Sequence, residues 1–257
     1  MQRLSHILLA ALIALSSCAC TASAQNVKTY GFKVEETVPH DVASYTQGLF
    51  FHEGQLYESA GQYGQSSFRK VDLPTGKVLK RLNFEGRYFV EGSCVLNGRL
   101  FILTWQEHEC FVYDLASLEK IGTCRYNGEG WGLTTDGKSL IMSDGSSTIT
   151  FRNPDTFAPE RTITVTLRGQ KVMYLNELEY IKGEIWANVY GTDQIVRINP
   201  QTGAVTGVIN CRGLLPAALR KPSTDVLNGI AVDARGGIWL TGKYWPKMYR
   251  ITLVEKK

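Results

Sequence analysis

The chain is written in a repeat. The segments "TQGLFFHEGQLYESAG" (46–61), "VEGSCVLNGRLFILTW" (90–105), "GWGLTTDGKSLIMSDG" (130–145), "LNELEYIKGEIWANVYG" (175–191) and "LNGIAVDARGGIWLTGK" (227–243) align with one another. Each reads as a strand, a glycine-bearing turn, a second strand and then a small or polar residue. Most are followed by a third strand that ends in a turn, as in "RKVDLPTGKV" and "VRINPQTGAV". The lead residues Gln47, Glu91, Trp131, Asn176 and Asn228 are spaced by 44, 40, 45 and 52 residues. A period of that length with four short strands per unit is the pattern of a propeller blade. Long helical periodicity is absent. The expected fold is therefore all-β, a five-bladed β-propeller that fills residues 25–257 as a single domain. The alternating stretch "VKTYGFKVEETV" (27–38) is expected to complete the last blade, because an unclosed ring would leave an exposed edge.

Residues 1–24 read as a signal peptide rather than as part of the fold. Arg3 supplies a positive start, "ILLAALIAL" (7–15) is an apolar run too short for a membrane span, and "ASA" (22–24) is a small-residue cleavage site. The same region contains "LSSC", which suits lipoprotein processing with a lipid on Cys18, so a soluble and a tethered exported protein both stay open. Cleavage after Ala24 would expose Gln25. The formal charge of +4 falls only to +3 when Arg3 is removed, and no basic tract exists, so nucleic acid is not an expected partner. Nothing in the sequence argues against a monomer.

Four cysteines remain beyond residue 24: Cys94, Cys110, Cys124 and Cys211. None forms a CxxC and the histidines are scattered, so metal-ligand spacing is missing. Cys110 and Cys124 flank a hairpin-like stretch and could face each other; the other reading makes all four small buried hydrophobes. Ser143, Asp144 and His108 do not read as a hydrolase triad, because "SDGSS" is a turn and His108 sits in a charged loop.

The repeat gathers residues that the sequence separates. The innermost strand of each blade lines the central channel, so equivalent lead residues meet at one end of it. The ends of the second strands, with Trp105, Ser143, Asp144, Asn188 and Lys243, should arrive nearby. One carboxylate, several amides, a lysine and two indoles around a cavity have the composition of a small-molecule site. Glu91 lies in the apolar run "YFVEGSCVL" (88–96), where burial would raise its proton affinity and suit it to carry protons both ways. On residue types alone, Glu91 could equally pair with Lys243 and hold the channel shut.

The motifs "YTQGL", "LYESAGQYGQSS", "YFVEG", "LNELEYIKGEIWANVY", "DVLNGIA" and "TGKYWPK" resemble, in order and over residues 39–250, the glutaminyl cyclotransferases of the plant and bacterial type. The resemblance implies a five-bladed propeller that converts an N-terminal glutamine, free or on a peptide, to pyroglutamate with loss of ammonia. It implies metal-independent acid–base catalysis with no cofactor, although a structural calcium ion in the channel would be compatible. It places the catalytic glutamate at Glu91 and substrate-binding groups at Gln47, Trp105, Trp131, Asn176 and Lys243. One departure concerns Tyr190, where the plant enzymes carry a further tryptophan. The alternatives are a non-catalytic propeller that binds a ligand or peptide at the same mouth, and a metal-dependent lactonase-like propeller.

Overall fold

A computed structural model describes residues 27–256. The signal-peptide reading, with Cys18 and Gln25, lies outside the described residues. After β1 (Lys28–Pro39), the strands come in sets. The first set is β2 (Thr46–His52), β3 (Gln55–Ala60), β4 (Ser67–Asp72) and β5 (Lys77–Asn83). The second is β6 (Val90–Leu96), β7 (Arg99–Thr104), β8 (Glu109–Asp114) and β9 (Lys120–Arg125). The third is β10 (Leu133–Thr135), β11 (Leu140–Ser143), β12 (Thr148–Arg152) and β13 (Pro159–Thr164). A small hairpin follows, β14 (Thr166–Leu167) with β15 (Gln170–Lys171). The fourth set is β16 (Leu175–Ile181), β17 (Glu184–Val189), β18 (Gln194–Ile198) and β19 (Val205–Asn210). The last is β20 (Leu227–Val232), β21 (Ile238–Gly242) and β22 (Lys247–Lys256), with β1 as its outermost strand.

Within each set, neighbours in sequence pair antiparallel, which tight turns make possible. The inner hairpins of the first, second and fourth sets turn through Glu53-Gly54, Asn97-Gly98 and Lys182-Gly183, with positive φ at both residues of each pair. That is the two-residue turn whose twist matches the flanking strands. The first strand of each set packs on the first strand of the next, in the cyclic order β2, β6, β10, β16, β20 and back to β2. The fold is an all-β propeller, and the strands fall into five groups of four around the axis.

Closure follows the expectation for the N-terminal strand. β1 pairs antiparallel with β22 from Thr29 opposite Lys256 to Pro39 opposite Lys247. Its first residues also pair parallel with Gly207–Ile209 of β19, which joins the last two sets into one eight-stranded sheet. Among the described residues the core is divided. Five apolar clusters each fill the gap between two neighbouring sets, such as Phe50, Phe68, Leu100 and Phe111 between the first and second. A buried polar plug lies next to the closure. The Glu58 carboxylate accepts from His40 at 2.9 Å, and from the Ser44 and Thr46 hydroxyls, each at 2.6 Å. The other nitrogen of His40 meets the Trp245 carbonyl at 2.7 Å. Burial alone would raise Glu58, but the His40 charge and bond, Arg69 and the Ser44 hydroxyl outweigh it and hold the acid at about 2.

Cys110 and Cys124 face each other in register across β8 and β9, and the structure carries all four described cysteines as free thiols. Cys94, Cys110 and Cys211 are buried as small hydrophobes. No described helix is long and apolar enough to cross a membrane.

Two outcomes follow from this packing. A Cβ on Gly92 would lie 2.4 Å from the Leu133 nitrogen, whereas one on Gly122 meets only Val112 at 3.9 Å. Gly92→Ala should therefore cost at least ~2 kcal/mol, a fall of roughly 4–8 °C in Tm for a chain of this size, while Gly122→Ala stays near wild type in the same calorimetric scan. Glu58 is held below its ordinary value of 4.5, so its stabilisation is complete above that pH and is lost as pH falls toward about 2. Glu58→Gln should melt lower at neutral pH and show a flatter Tm between those limits.

Candidate active site

The lead residues are aimed by irregularities in the strands that carry them. Register shifts fall between Thr46 and Gly48 in β2, Val90 and Ser93 in β6, Leu175 and Leu178 in β16, and Leu227 and Ile230 in β20. Bulges of this kind bend a strand and redirect a side chain. Gln47, Glu91, Asn176 and Asn228 lie inside them, and Trp131 stands just before β10. The amides and carbonyls freed at the bulges are bonded around the ring. Ser59 Oγ donates to the Glu91 carbonyl at 2.6 Å, and Gly92 N to the Trp131 carbonyl at 2.7 Å. Ser143 Oγ donates to the Asn176 carbonyl at 2.7 Å. Gly229 N donates to Asn188 Oδ1 at 3.0 Å, and Asn228 Nδ2 to the Thr46 carbonyl at 2.9 Å. Each bond joins one blade to the next, so the five complete a circle.

A cavity of about 230 Å³ opens at this end, lined by Tyr45, Gln47, Phe89, Glu91, Trp105, Trp131, Asn176, Tyr190 and Lys243. All six sequence-predicted site residues line it. Gln47, Glu91, Asn176 and Lys243 are each at most 5% exposed. Gln47 Nε2 donates to Glu91 Oε1 at 2.9 Å, and Asn228 Nδ2 approaches Gln47 Oε1 at 3.4 Å, which fixes the orientation of the Gln47 amide. Glu91 Oε2 receives no hydrogen bond from the described residues. The Asn176 amide makes no side-chain bond to them either, and its Oδ1 is buried without a partner. A buried polar group left open in this way is a place for a ligand atom.

Glu91 and Lys243 do not form a direct ion pair; the Lys243 ammonium stands 4.4 Å from the centroid of Tyr45 and 5.0 Å from that of Tyr190. The pairing that residue types allowed is thus not the arrangement found. Burial pushes Glu91 well above its ordinary range, the Lys243 charge only partly opposes this, and Glu129 and Glu107 add to it. Burial brings Lys243 down to about 8 against the pull of Glu91 and Asp225. Both groups sit closer to neutrality than they would in water.

The walls are aromatic. Trp131 meets Tyr190 edge-to-face at 5.7 Å, so the position that departs from the plant pattern keeps a ring in the wall. Phe89 contacts Trp105 at 5.6 Å and Tyr45 at 6.0 Å. Tyr45 and Phe89 are neighbours of Gln47 and Glu91 in "YTQG" and "YFVEG", and that adjacency is the signal by which the sequence could have offered them. Glu129 was also missed. It accepts from the indole nitrogens of Trp105 and Trp131 at 2.8 and 2.9 Å, and from Gln106 at 3.1 Å. In "NGEGWG" it reads as a turn residue. Four expected neighbours lie elsewhere. Ser143, Asn188 and Asn228 do not line the cavity and each uses a polar atom on the ring bonds above, although Asn188 Nδ2 and Asn228 Oδ1 stay buried without a partner, and exposed Asp144 closes a local turn onto Ser146.

Among the described residues, no group of three or more His, Cys, Asp or Glu side chains gathers to hold a metal ion. Two buried carboxylates, Glu177 and Glu179, are engaged in hydrogen bonds between blades. Glu177 accepts from the Leu49 and Ile230 amides, and Glu179 from the Val232 amide and the Thr134 hydroxyl.

Comparison with known proteins points to one family. The family model for glutamine cyclotransferase matches residues 7–253. A glutaminyl-peptide cyclotransferase of Arabidopsis thaliana is 46% identical over 224 residues, spanning 84% of this chain and 69% of that protein. The crystal structure of Myxococcus xanthus glutaminyl cyclase superposes with a TM-score of 0.84 at 36% identity, covering 90% of this chain and all of that one. The chain belongs to the glutamine cyclotransferase family.

Proposed function

We propose that the protein is a glutaminyl-peptide cyclotransferase, converting N-terminal glutamine to pyroglutamate with release of ammonia. The observation that carries this reading is the arrangement across the cavity. A desolvated carboxylate, Glu91, faces a desolvated ammonium, Lys243, with no ion pair between them and an unpartnered amide, Asn176, beside them. About 230 Å³ lined by rings suits one glutaminyl residue and excludes bulk water.

The substrate arrives with its α-amine protonated. Glu91, in its carboxylate form, takes a proton from the ammonium through the open Oε2. The freed amine attacks the side-chain amide carbon, closing a five-membered ring. Negative charge then develops on the amide oxygen. Lys243 and Asn176 are placed to stabilise it, as donors that need no reorganisation. Glu91 returns its proton to the amide nitrogen, which leaves as ammonia as the carbonyl re-forms; the freed carboxylate then takes the second proton from the ring nitrogen and passes it to the ammonia, which departs as ammonium. The proton, the leaving group and the electron pair are all accounted for with one acid–base residue. Gln47 holds Glu91 in position and meets the substrate, and the indoles of Trp105 and Trp131 press the flexible side chain toward its cyclic shape. No step calls for a metal. The apolar run at residues 7–15 supports export, with the reaction taking place outside the cytoplasm.

The test is ammonia release from a glutaminyl dipeptide by the intact protein. Turnover should persist in EDTA. Glu91→Gln should fall by roughly 10²–10⁴-fold in kcat, and Lys243→Met by roughly 10²–10³-fold. Near-normal turnover by Glu91→Gln would remove the proton-carrier role; binding without turnover by folded wild type would leave a ligand-binding propeller. Lys243 titrates near 8, so kcat/KM should decline as pH rises through that value and the donor loses its charge. In calorimetry at pH 8, Glu91→Gln should melt no lower than wild type, because a buried charge is removed. A clear fall would mark Glu91 as a structural partner of Lys243.

A further inference from the structure

The three donors on Glu129 are all neutral, and among the described residues none forms an ion pair with it. A wall that needed only a hydrogen-bond acceptor could use an amide oxygen there, so the negative charge calls for a reason of its own. The position of the side chain is also tightly built. The loop that carries it is fastened on both sides: the Tyr126 hydroxyl donates to the Thr104 carbonyl, His108 Nδ1 meets the Gly128 carbonyl at 2.7 Å, and Gly130 N donates to the Trp105 carbonyl at 3.0 Å. Gly130 admits no side chain, since a Cβ would come within 2.3 Å of the Tyr126 hydroxyl.

We propose that Glu129 is a positioning residue for the cyclisation: its Oε2 pins the indoles of Trp105 and Trp131 into one rigid wall, and its charge at the rim acts on Glu91. Trp105 follows β7 and Trp131 precedes β10, so one carboxylate oxygen locks together two blades' contributions to the pocket. An indole held at Nε1 by a fixed acceptor cannot swing about its side-chain torsions, and a positioned wall is what compresses a flexible substrate. The charge works on the proton carrier. Of the ionisable groups around Glu91, Lys243 favours its charged form and Glu129 and Glu107 disfavour it, while the phenols of Tyr45, Tyr63 and Tyr126 also lie within its field. Glu129 itself stays ionised: burial works against its charge, but the two indoles, Gln106 and His108 outweigh it. A permanent negative charge therefore strengthens Glu91 as a base.

This inference rests on the cyclotransferase reading, and two variants separate its parts. Glu129→Gln keeps an acceptor and removes the charge; Glu129→Ala removes both. Expected for Glu129→Gln is a KM within about threefold of wild type, with the acid limb of kcat/KM moved to lower pH, because Glu91 loses its proton more readily when the neighbouring charge is gone. Expected for Glu129→Ala is the same displacement together with a loss of roughly 10²-fold in kcat/KM from the loosened wall. An acid limb that stays in place in both variants would overturn the electrostatic role, and an unchanged KM and kcat in Glu129→Ala would overturn the pinning. The pinning also has a readout without turnover. In ¹⁵N-labelled full-length protein, the indole N–H resonances of Trp105 and Trp131 should move in Glu129→Ala while those of Trp186, Trp239 and Trp245 stay. Unmoved resonances would sink the pinning whatever the activity, and moved resonances in a protein that never releases ammonia would place the fault with the cyclotransferase reading.

Discussion

Inner strands cannot converge on a propeller axis if every inward position carries a side chain. The sequence meets this constraint by placing glycine directly after the lead residue in four repeats: Gly48, Gly92, Gly132 and Gly229. A Cβ would stand 2.6 Å from Ser59 Oγ at Gly48, and 2.0 Å from the Asn176 carbonyl oxygen at Gly132. Close approach without a side chain frees backbone groups, and short polar side chains at the ends of the second strands bond them to the next blade. The fourth repeat departs from the rule. It carries Glu177, whose two carboxylate oxygens receive the amides of Leu49 and Ile230, so a single side chain ties its own blade to two others. The bulges that relieve the crowding are the same bulges that point Gln47, Glu91 and Asn176 into the cavity. Packing at the axis and construction of the site are one solution.

The fold buries several glutamates, and their neighbours sort them into different roles. Glu58 receives His40 and two hydroxyls, and is held ionised. Glu177 and Glu179 receive mainly backbone amides; burial raises both, Glu179 to about 8, and their bonds only partly oppose it. Glu91 has one neutral donor, Gln47, and an open oxygen. The first three use the carboxylate to hold strands and loops together. Of these four, Glu91 alone lines the cavity, which is why the proposed proton carrier is placed there.

The architecture was readable because a propeller repeats its signal. Five units recur at spacings of 40 to 52 residues, and each hairpin carries its own turn, so "LNGR" and "IKGE" mark the same place in different blades. Equivalence between repeats then brought distant lead residues together without any contact being visible, and Gln47, Glu91, Trp131 and Asn176 do line one cavity. The same reasoning overreached for Ser143, Asn188 and Asn228. Period alone places a residue at the axis but cannot say whether its side chain faces the cavity or a bulged backbone amide. Glu129 lies outside the repeat register, in a loop whose length differs from blade to blade, and its indole bonds depend on side-chain directions that a linear pattern does not carry. The His40–Glu58 plug was hidden for a similar reason: it joins the end of β1 to β3 across the closure, where no repeat unit begins or ends.

Glu91 and Lys243 show why the cavity suits proton movement better than charge storage. In a direct ion pair, attraction lowers the acid and raises the base, and both stay charged. Here both shift the other way, the acid upward and the lysine to about 8, because burial outweighs an attraction acting across a gap. Two groups whose proton affinities have been drawn toward each other can exchange protons with a third at little cost, and in the proposed reaction the substrate amine is that third group. Closing the gap would restore the ion pair and fix the protons where they are; filling it with water would return both groups to their ordinary values. The aromatic walls prevent the second, and the rings of Tyr45 and Tyr190 beside the Lys243 ammonium stabilise it away from Glu91 and so oppose the first. What the blades enclose is a separation between a buried acid and a buried base, walled by aromatic rings.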